Sequence, residues 1–326
     1  MANAENAKIQ FEGGQSQQPM DALIDSGDNT VFESGAALWS RRTGSEPVVR
    51  PDGLINGGAI SPAAAGTNNL IDVAASTAYI GGAQIAAAGE TGLTCSRATV
   101  DTHLIHSITL DSTGSYTAVA GTEGTAFSNT RGAAGGPPLI PEGEVEIGQV
   151  RFSTASAAAV KASEIFAVPG VHQERYDSPI YEIDYRNGNV VFNAALPPIH
   201  TGDETKGVFA SFAEPIFTDL SKASDFVPSE TSHSTSSTQI YGTTLGSTSS
   251  TLNQASFTAY LNDGITDGIV RLKNEILWYK FFPNKFQPGH ILEQGKLGIS
   301  RTFPAGDEIQ ASCTISPESA GVEVSG

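Results

Sequence analysis

The chain of 326 residues has few charged side chains, only two cysteines and no long apolar run. Charged residues make up 16% of the chain, well below the roughly 25% of typical soluble domains. Few charges together with many small and β-branched residues favour strands and tight turns over long surface helices, so we predict a mostly β fold. Two widely separated cysteines indicate no disulfide framework. Cys313 alternates with Ile309, Ala311 and Ile315 on one side of a predicted strand, which predicts a buried thiol.

Basic residues are also scarce, with 18 Lys and Arg against 35 Asp and Glu, for a net charge of −17. Tight binding of DNA or RNA requires Lys and Arg side chains that displace counterions, so the composition excludes a tight nucleic-acid binder. The N-terminal "MANAENAKIQFEGG" lacks an apolar signal-peptide core, and no stretch approaches the length of a membrane span. We therefore expect no signal peptide, no membrane contact, and synthesis and assembly in a cytoplasm.

Turn signals predict three parts: an N-terminal arm or extended segment over 1–58, an accessory β-sandwich domain over 59–170, and a second β-domain over 171–326. A hairpin is predicted in the accessory domain with its turn at 111–114. Another is predicted at 181–192, with Asn187–Gly188 as a two-residue turn. The Ser/Thr-rich stretch 229–251 has few charges and little to bury, which predicts a long exposed loop.

The C-terminal run has a regular order of predicted elements. The segment after Asn262 predicts a short helix with Ile265, Ile269 and Leu272 on one face. "ILWYKFFPN" is apolar on both faces, which is typical of a central strand. A long strand in "GHILEQGKLGISRTF", a tight turn and the strand "IQASCTISP" follow.

Residue patterns for catalysis or metal binding are sparse. No phosphate-binding loop, nucleophile elbow or zinc-protease motif occurs. His103 and His106 fall on opposite faces of a strand and cannot share a metal ion. Glu142, Glu144 and Glu146 form an every-other-residue acidic row, for which a solvated strand face is favoured over an acid/base pair. We therefore predict no catalytic residues, no cofactor and no metal, and hence no enzyme.

The closing stretch "EILWYKFFPNKFQPGHILEQGKLGISRTFPAGDEIQASCTISPESAGVEVSG" resembles the major tail tube protein family of long-tailed bacteriophages, over about the last 70 residues. The resemblance implies a tail-tube-like β-sandwich or barrel with a short helix. It also implies hexameric rings that stack into a tube within the virion, with other tail proteins such as the tape measure and the terminator as partners. DNA would pass through an acidic lumen without specific binding. Residues 59–170 do not belong to the minimal tube fold and look like an added β-domain.

Given this resemblance, the loop at 229–251 is predicted to become ordered on assembly, against the adjacent subunit or ring. The predicted contact residues are Ser232, Ser234, Ser236, Thr238, Ile240 and Tyr241. Two alternatives stay open. One is a different structural class, a head decoration, baseplate or tail fibre protein. The other is a tail-associated glycan hydrolase, which would need paired carboxylates such as the row at Glu142–Glu146.

Overall fold

A computed structural model describes residues 4–100 and 102–325. Strands account for 52% of the protein and helices for 3%, which confirms the mostly β prediction. The chain forms two compact units. The terminal unit comprises Met1–Gln18, Leu38–Pro47 and Phe212–Gly326, and the inserted unit comprises Pro19–Ala37 and Val48–Ser211.

In chain order the strands are β1 (Lys8–Gln17), β2 (Asp21–Ala22), β3 (Ile24–Asp25), β4 (Val31–Glu33), β5 (Val48–Pro51), β6 (Gly53–Gly57), β7 (Ile60–Pro62), β8 (Leu70–Val73), β9 (Ser76–Ile80), β10 (Ala83–Ala87), β11 (Glu90–Thr94), β12 (Leu104–Leu110), β13 (Tyr116–Ala120), β14 (Val145–Phe152), β15 (Ile165–Phe166), β16 (Tyr181–Asp184), β17 (Asn189–Phe192), β18 (Val208–Ser211), β19 (Ala213–Leu220), β20 (Ala223–Val227), β21 (Thr231–Ile240), β22 (Thr243–Leu252), β23 (Ala255–Leu261), β24 (Ile276–Phe282), β25 (His290–Thr302), β26 (Ile309–Pro317) and β27 (Val322–Val324). Within the described residues the helical elements are two 3-10 turns, Ala4–Asn6 and Ala162–Glu164, and one α-helix, α1 (Gly268–Arg271).

The terminal unit is built on one antiparallel sheet in the order β19-β1-β24-β25-β26-β23-β20, with β27 added to β25 beyond the end of β26. The two edge strands, β19 and β20, are consecutive in the chain and separated only by Ser221 and Lys222. Two residues span only about 10 Å, so the sheet must coil until its edges approach each other at that corner. No ladder joins them, and the barrel does not close.

The core of the terminal unit lies on the inner face of this coiled sheet. It includes Phe257, Leu277, Tyr279, Leu297 and Cys313. Cys313 is fully buried, which confirms that prediction. The aromatic strand β24 lies between β1 and β25, so its central position is also confirmed.

The short helix α1 forms where it is predicted, and Ile269 and Leu272 are buried. Ile265 does not share their face, because it precedes the helix and is 69% exposed. The carboxylate of Asp263 accepts the backbone N–H of Ile265 at 2.8 Å and that of Thr266 at 2.7 Å. This side-chain-stabilised turn postpones the helix start beyond Ile265.

The inserted unit contains five small antiparallel sheets, in the orders β10-β9-β6, β11-β8-β7, β13-β12-β14-β15, β16-β17-β4-β3 and β2-β18-β5. Its main core packs residues of the first three sheets together, among them Ile71, Ile108, Ile147 and Phe152.

These units divide the chain at other places than the predicted boundaries of 58/59 and 170/171. Strand β17 pairs with β4, and β18 pairs with both β2 and β5. These ladders join residues 181–211 to the segment predicted as an arm. Strand β1, from the same predicted arm, lies inside the sheet of the terminal unit.

Both predicted hairpins of the inserted unit are present, and both connections are longer than predicted. Five residues, 111–115, join β12 to β13, where four were predicted. β12 and β13 are joined at Asp111, whose carboxylate accepts the N–H groups of Thr113 and Ser115. β16 and β17 are joined by four residues, 185–188, and not by the predicted two-residue turn. The Asp184 carboxylate accepts the N–H groups of Arg186 and Asn187, which favours the longer loop.

Candidate assembly interface

The Ser/Thr-rich segment is a β-hairpin and not the predicted loop. Strands β21 and β22 pair over ten consecutive residue pairs without a bulge. Gly242, with φ of 82°, closes the turn after Tyr241. Almost every residue of the two strands is exposed, so no alternation of apolar residues marked them in the sequence. Threonine nevertheless has a high strand propensity, which is the one sequence signal for this hairpin.

The hairpin prolongs the edge ribbon made by β20 and β23. Val227 faces Ser256 at the end of that ribbon. Thr231 faces Leu252 at the start of the hairpin, and Ile240 faces Thr243 at its end. The two residue numbers have the same sum at all three pairs, so one register continues from Val227 to the end of the hairpin. Strands of this length extend about 33 Å beyond the sheet.

Five of the six predicted contact residues share one face of the hairpin. Side chains alternate along a strand, so Ser232, Ser234, Ser236, Thr238 and Ile240 of β21 point the same way. With their partners on β22 they form what we call the serine face. Its centre is a row of hydroxyl pairs, since the Oγ atoms of Ser234 and Ser249 lie 2.7 Å apart, as do those of Ser236 and Ser247.

The far end of the serine face is apolar. Ile240 is 47% exposed, Leu245 is 63% exposed, and Tyr241 in the turn is wholly exposed. We call these three residues the tip. Leu245 was missed in the sequence prediction, although it lies opposite Thr238 and therefore on the same face. An exposed cluster of one aromatic and two aliphatic side chains is typical of a contact surface.

A buried hydrogen-bonded root holds the hairpin to the sheet. Ser229 and Glu293 are each 2% exposed. The Ser229 N–H donates to Glu293 Oε1 at 2.8 Å, and the Gly321 N–H donates to Ser229 Oγ at 2.9 Å. Burial raises the pKa of Glu293, and the hydrogen bonds from Ser229 oppose that shift. A Cβ atom on Gly321 would lie 2.6 Å from Glu293 Oε1, so glycine is the residue that fits there.

The prediction that Glu142, Glu144 and Glu146 form a solvated strand face is wrong. Glu142 and Glu144 precede β14, and only Glu146 lies within it. Glu146 is 1% exposed and forms an ion pair with Arg131, while its Oε1 accepts hydrogen bonds from Ser107 at 2.5 Å and Gln149 at 3.0 Å. The three carboxylates therefore do not line one open strand face, as a paired acid/base site would require.

The inserted unit also buries a cluster of ionisable groups that the sequence does not reveal. Glu174 Oε1 lies 3.0 Å from His200 Nε2, and Lys206 Nζ donates to the carbonyls of Arg175 and Ser178. Burial raises the pKa of Asp52 to about 7 and lowers that of Lys206 to about 8. Burial opposes protonation of His200, but the hydrogen bond and charge of Glu174 raise its pKa overall. The cluster holds distant loops of this unit together.

No protein-family model, curated protein or solved structure matches this chain. Within residues 4–100 and 102–325, no group of three His, Cys, Asp or Glu side chains is arranged to hold a metal ion. Among the same residues, none of the helices has the length and apolar character needed to cross a bilayer.

Proposed function

We propose that this chain is a structural subunit that assembles with copies of itself, and that the assembly is the tail tube of a long-tailed bacteriophage. The observation that carries the proposal is the hairpin of β21 and β22, with its serine face and tip. Its two strands are almost wholly exposed and would gain burial from a partner.

The hairpin has little of its own to stabilise it in water. Ordering the backbone costs about 1–2 kcal/mol per residue. Burial normally offsets that cost, yet almost all residues of these strands are exposed. Isolated two-stranded hairpins are marginal for this reason. A neighbouring protein surface would cover one face or edge and supply the missing burial and hydrogen bonds.

The edges of the hairpin also lack the features that keep strands from pairing with other molecules. Residues 231–252 contain no Asp, Glu, Lys, Arg or Pro, and their ladder has no bulge. The edge strands β19 and β20 of the same unit carry such features. Strand β19 contains Pro215 and the acidic Glu214 and Asp219, while β20 is interrupted by a register shift at Asp225, whose φ is 56°. Compared with these two strands, the hairpin is an edge left open for pairing.

The tail tube is the assembly that best combines these features with the sequence. The C-terminal stretch resembles tail tube proteins, and it forms the central strands of the coiled sheet next to a short helix. A net charge of −17 suits a conduit along which DNA moves without adhering. By the same resemblance, the subunits form stacked hexameric rings, with the tape measure and terminator proteins as further partners.

Electron microscopy of the purified full chain tests this proposal. We expect rings or stacked tubes with a central hole. A matched variant replaces residues 231–252 by Asn-Gly, which closes the hairpin at its root, where the Asn253 N–H donates to the Glu230 carbonyl at 3.0 Å. This variant should remain a folded monomer. Monomers of the full chain at every concentration, or tubes formed by the shortened variant, would contradict the proposal.

A further inference from the structure

A groove lies at the corner of the terminal unit where the two edges of the coiled sheet approach each other. Its volume is about 860 Å³. Among its lining residues are four apolar side chains, Ile9, Leu220, Phe226 and Phe281, and the rings of Phe226 and Phe281 stack with their centroids 4.3 Å apart. We call it the seam groove. The two phenylalanines are only partly buried, so apolar surface remains open to a partner.

The charges around the seam groove balance. Its acidic side chains are Glu5, Asp219 and Asp225, and its basic side chains are Lys8, Lys222 and Lys285. The groove therefore has no net charge of its own, although the chain as a whole carries −17. A strongly charged partner would gain little there, whereas an uncharged apolar group would enter without repulsion.

We infer that the tip of one copy, Ile240, Tyr241 and Leu245, docks in the seam groove of the next copy. This inference rests on the self-assembly proposed above and names the two surfaces that meet. The tip is uncharged and offers one aromatic and two aliphatic side chains to a partly aromatic floor. Tyrosine in such a pocket is typical of residues that dominate binding, because its ring buries a large area with little loss of entropy.

The two surfaces cannot meet within one copy. The seam groove borders the first residues of β20, and the tip follows the last residue of β21. The chain between them follows β20 past its register shift at Asp225 and then the whole of β21, so the tip lies up to about 50 Å from the groove. Complementary surfaces at opposite ends of one ribbon produce head-to-tail contacts. Repeated contacts of this kind close into a ring or continue as a filament.

Two blocked variants test the inference. The tip-blocked variant carries Tyr241→Glu and Leu245→Glu, both at exposed positions. The groove-blocked variant carries Ser221→Arg and Ala223→Arg, which are exposed and line the groove. Matched controls are Gln239→Glu with Thr244→Glu, a pair on the opposite face of the hairpin, and Gln287→Arg, an exposed site outside the groove. Mass photometry and light scattering report the size of each assembly.

We expect each blocked variant alone to need a roughly tenfold or higher concentration to assemble, while the controls assemble like the unmodified chain. A mixture of the two blocked variants should form one-to-one dimers and nothing longer, because only one intact tip and one intact groove remain per pair. Normal assembly by either blocked variant, or no complex in the mixture, would overturn the docking inference alone. If the unmodified chain and the controls also stay monomeric, the proposed self-assembly fails.

Discussion

Glu293 is a carboxylate on the core side of a β-sheet, and its role can be measured by substitution. Glu293→Ala removes the acceptor of the Ser229 N–H, and Ser229 is itself buried. A buried donor without a partner costs about 1–3 kcal/mol. The lost side-chain carbons add about 1 kcal/mol of cavity and transfer free energy. We expect the terminal unit to lose roughly 2–4 kcal/mol of unfolding free energy.

Glu293→Gln separates the hydrogen bond from the charge. The amide oxygen can still accept from Ser229, while the buried negative charge disappears. Within the described residues, Glu293 Oε2 accepts no hydrogen bond, so the charge there lacks support. We therefore expect the unfolding free energy of the Glu293→Gln variant to lie within about 1 kcal/mol of that of the unmodified chain at neutral pH.

The pH dependence follows from the sign of the pKa shift. Burial raises the folded-state pKa of Glu293 above its unfolded value. Its contribution to stability is therefore complete below about pH 4 and is lost as the pH rises through the folded pKa. Glutamine does not titrate, so the Glu293→Gln variant does not lose this contribution. Its unfolding free energy relative to that of the unmodified chain should therefore increase from pH 4.5 to pH 7.5.

Tryptophan fluorescence during urea unfolding is the appropriate assay. Both tryptophans, Trp39 and Trp278, are buried in the terminal unit, so their signal reports that unit alone. All variants are made in the hairpin-shortened chain to keep assembly out of the measurement. Equal destabilisation by Gln and Ala would refute the reasoning, since it would mean that the charge itself is required. A cost below about 0.5 kcal/mol for Ala would show that the root is not held by this hydrogen bond.

Two further predictions concern buried groups. Burial raises the pKa of Asp52 to about 7, so its contribution to stability falls as the pH rises from about 4 to 7. Asp52→Asn keeps an acceptor for the Gly81 N–H and should flatten this slope, giving a higher melting midpoint than the unmodified chain at pH 8 but not at pH 4, by circular dichroism. Burial raises the pKa of both Cys95 and Cys313 to about 12, so a disulfide reagent at pH 8 should label neither thiol before unfolding and both afterwards. Labelling of the folded chain would contradict their burial.

The parts of the fold that the sequence predicts are those with local patterns. Alternating or continuous apolar residues identified β24, β25 and β26, and the alternation around Cys313 indicated its burial. The long-range pairing of β18 with β2 and β5 has no local signal, because each strand is short and its partners are distant in the chain. For that reason the predicted domain boundaries differ from the compact units.

The candidate interface was only half visible in the sequence. Ser/Thr-rich composition is typical of exposed segments, and the residues of the hairpin are indeed exposed. The strand character arises from pairing across the turn and from a register that β20 and β23 impose at the root. Glu146 shows the reverse case. Its alternation with Glu144 suggested exposure to solvent, but Arg131, in the segment between β13 and β14, pairs with it in the interior.

The length of the hairpin helps to explain how copies of a strongly acidic chain can associate. Copies with a net charge of −17 repel one another, but salt screens that repulsion within about 8 Å at physiological ionic strength. A hairpin that extends about 33 Å brings an uncharged tip to another copy while the sheets from which the two hairpins extend remain several screening lengths apart. The first contact under the proposed docking therefore meets little repulsion. Further contacts along the serine face can then form with the copies already held together, which makes each later contact more favourable than the first.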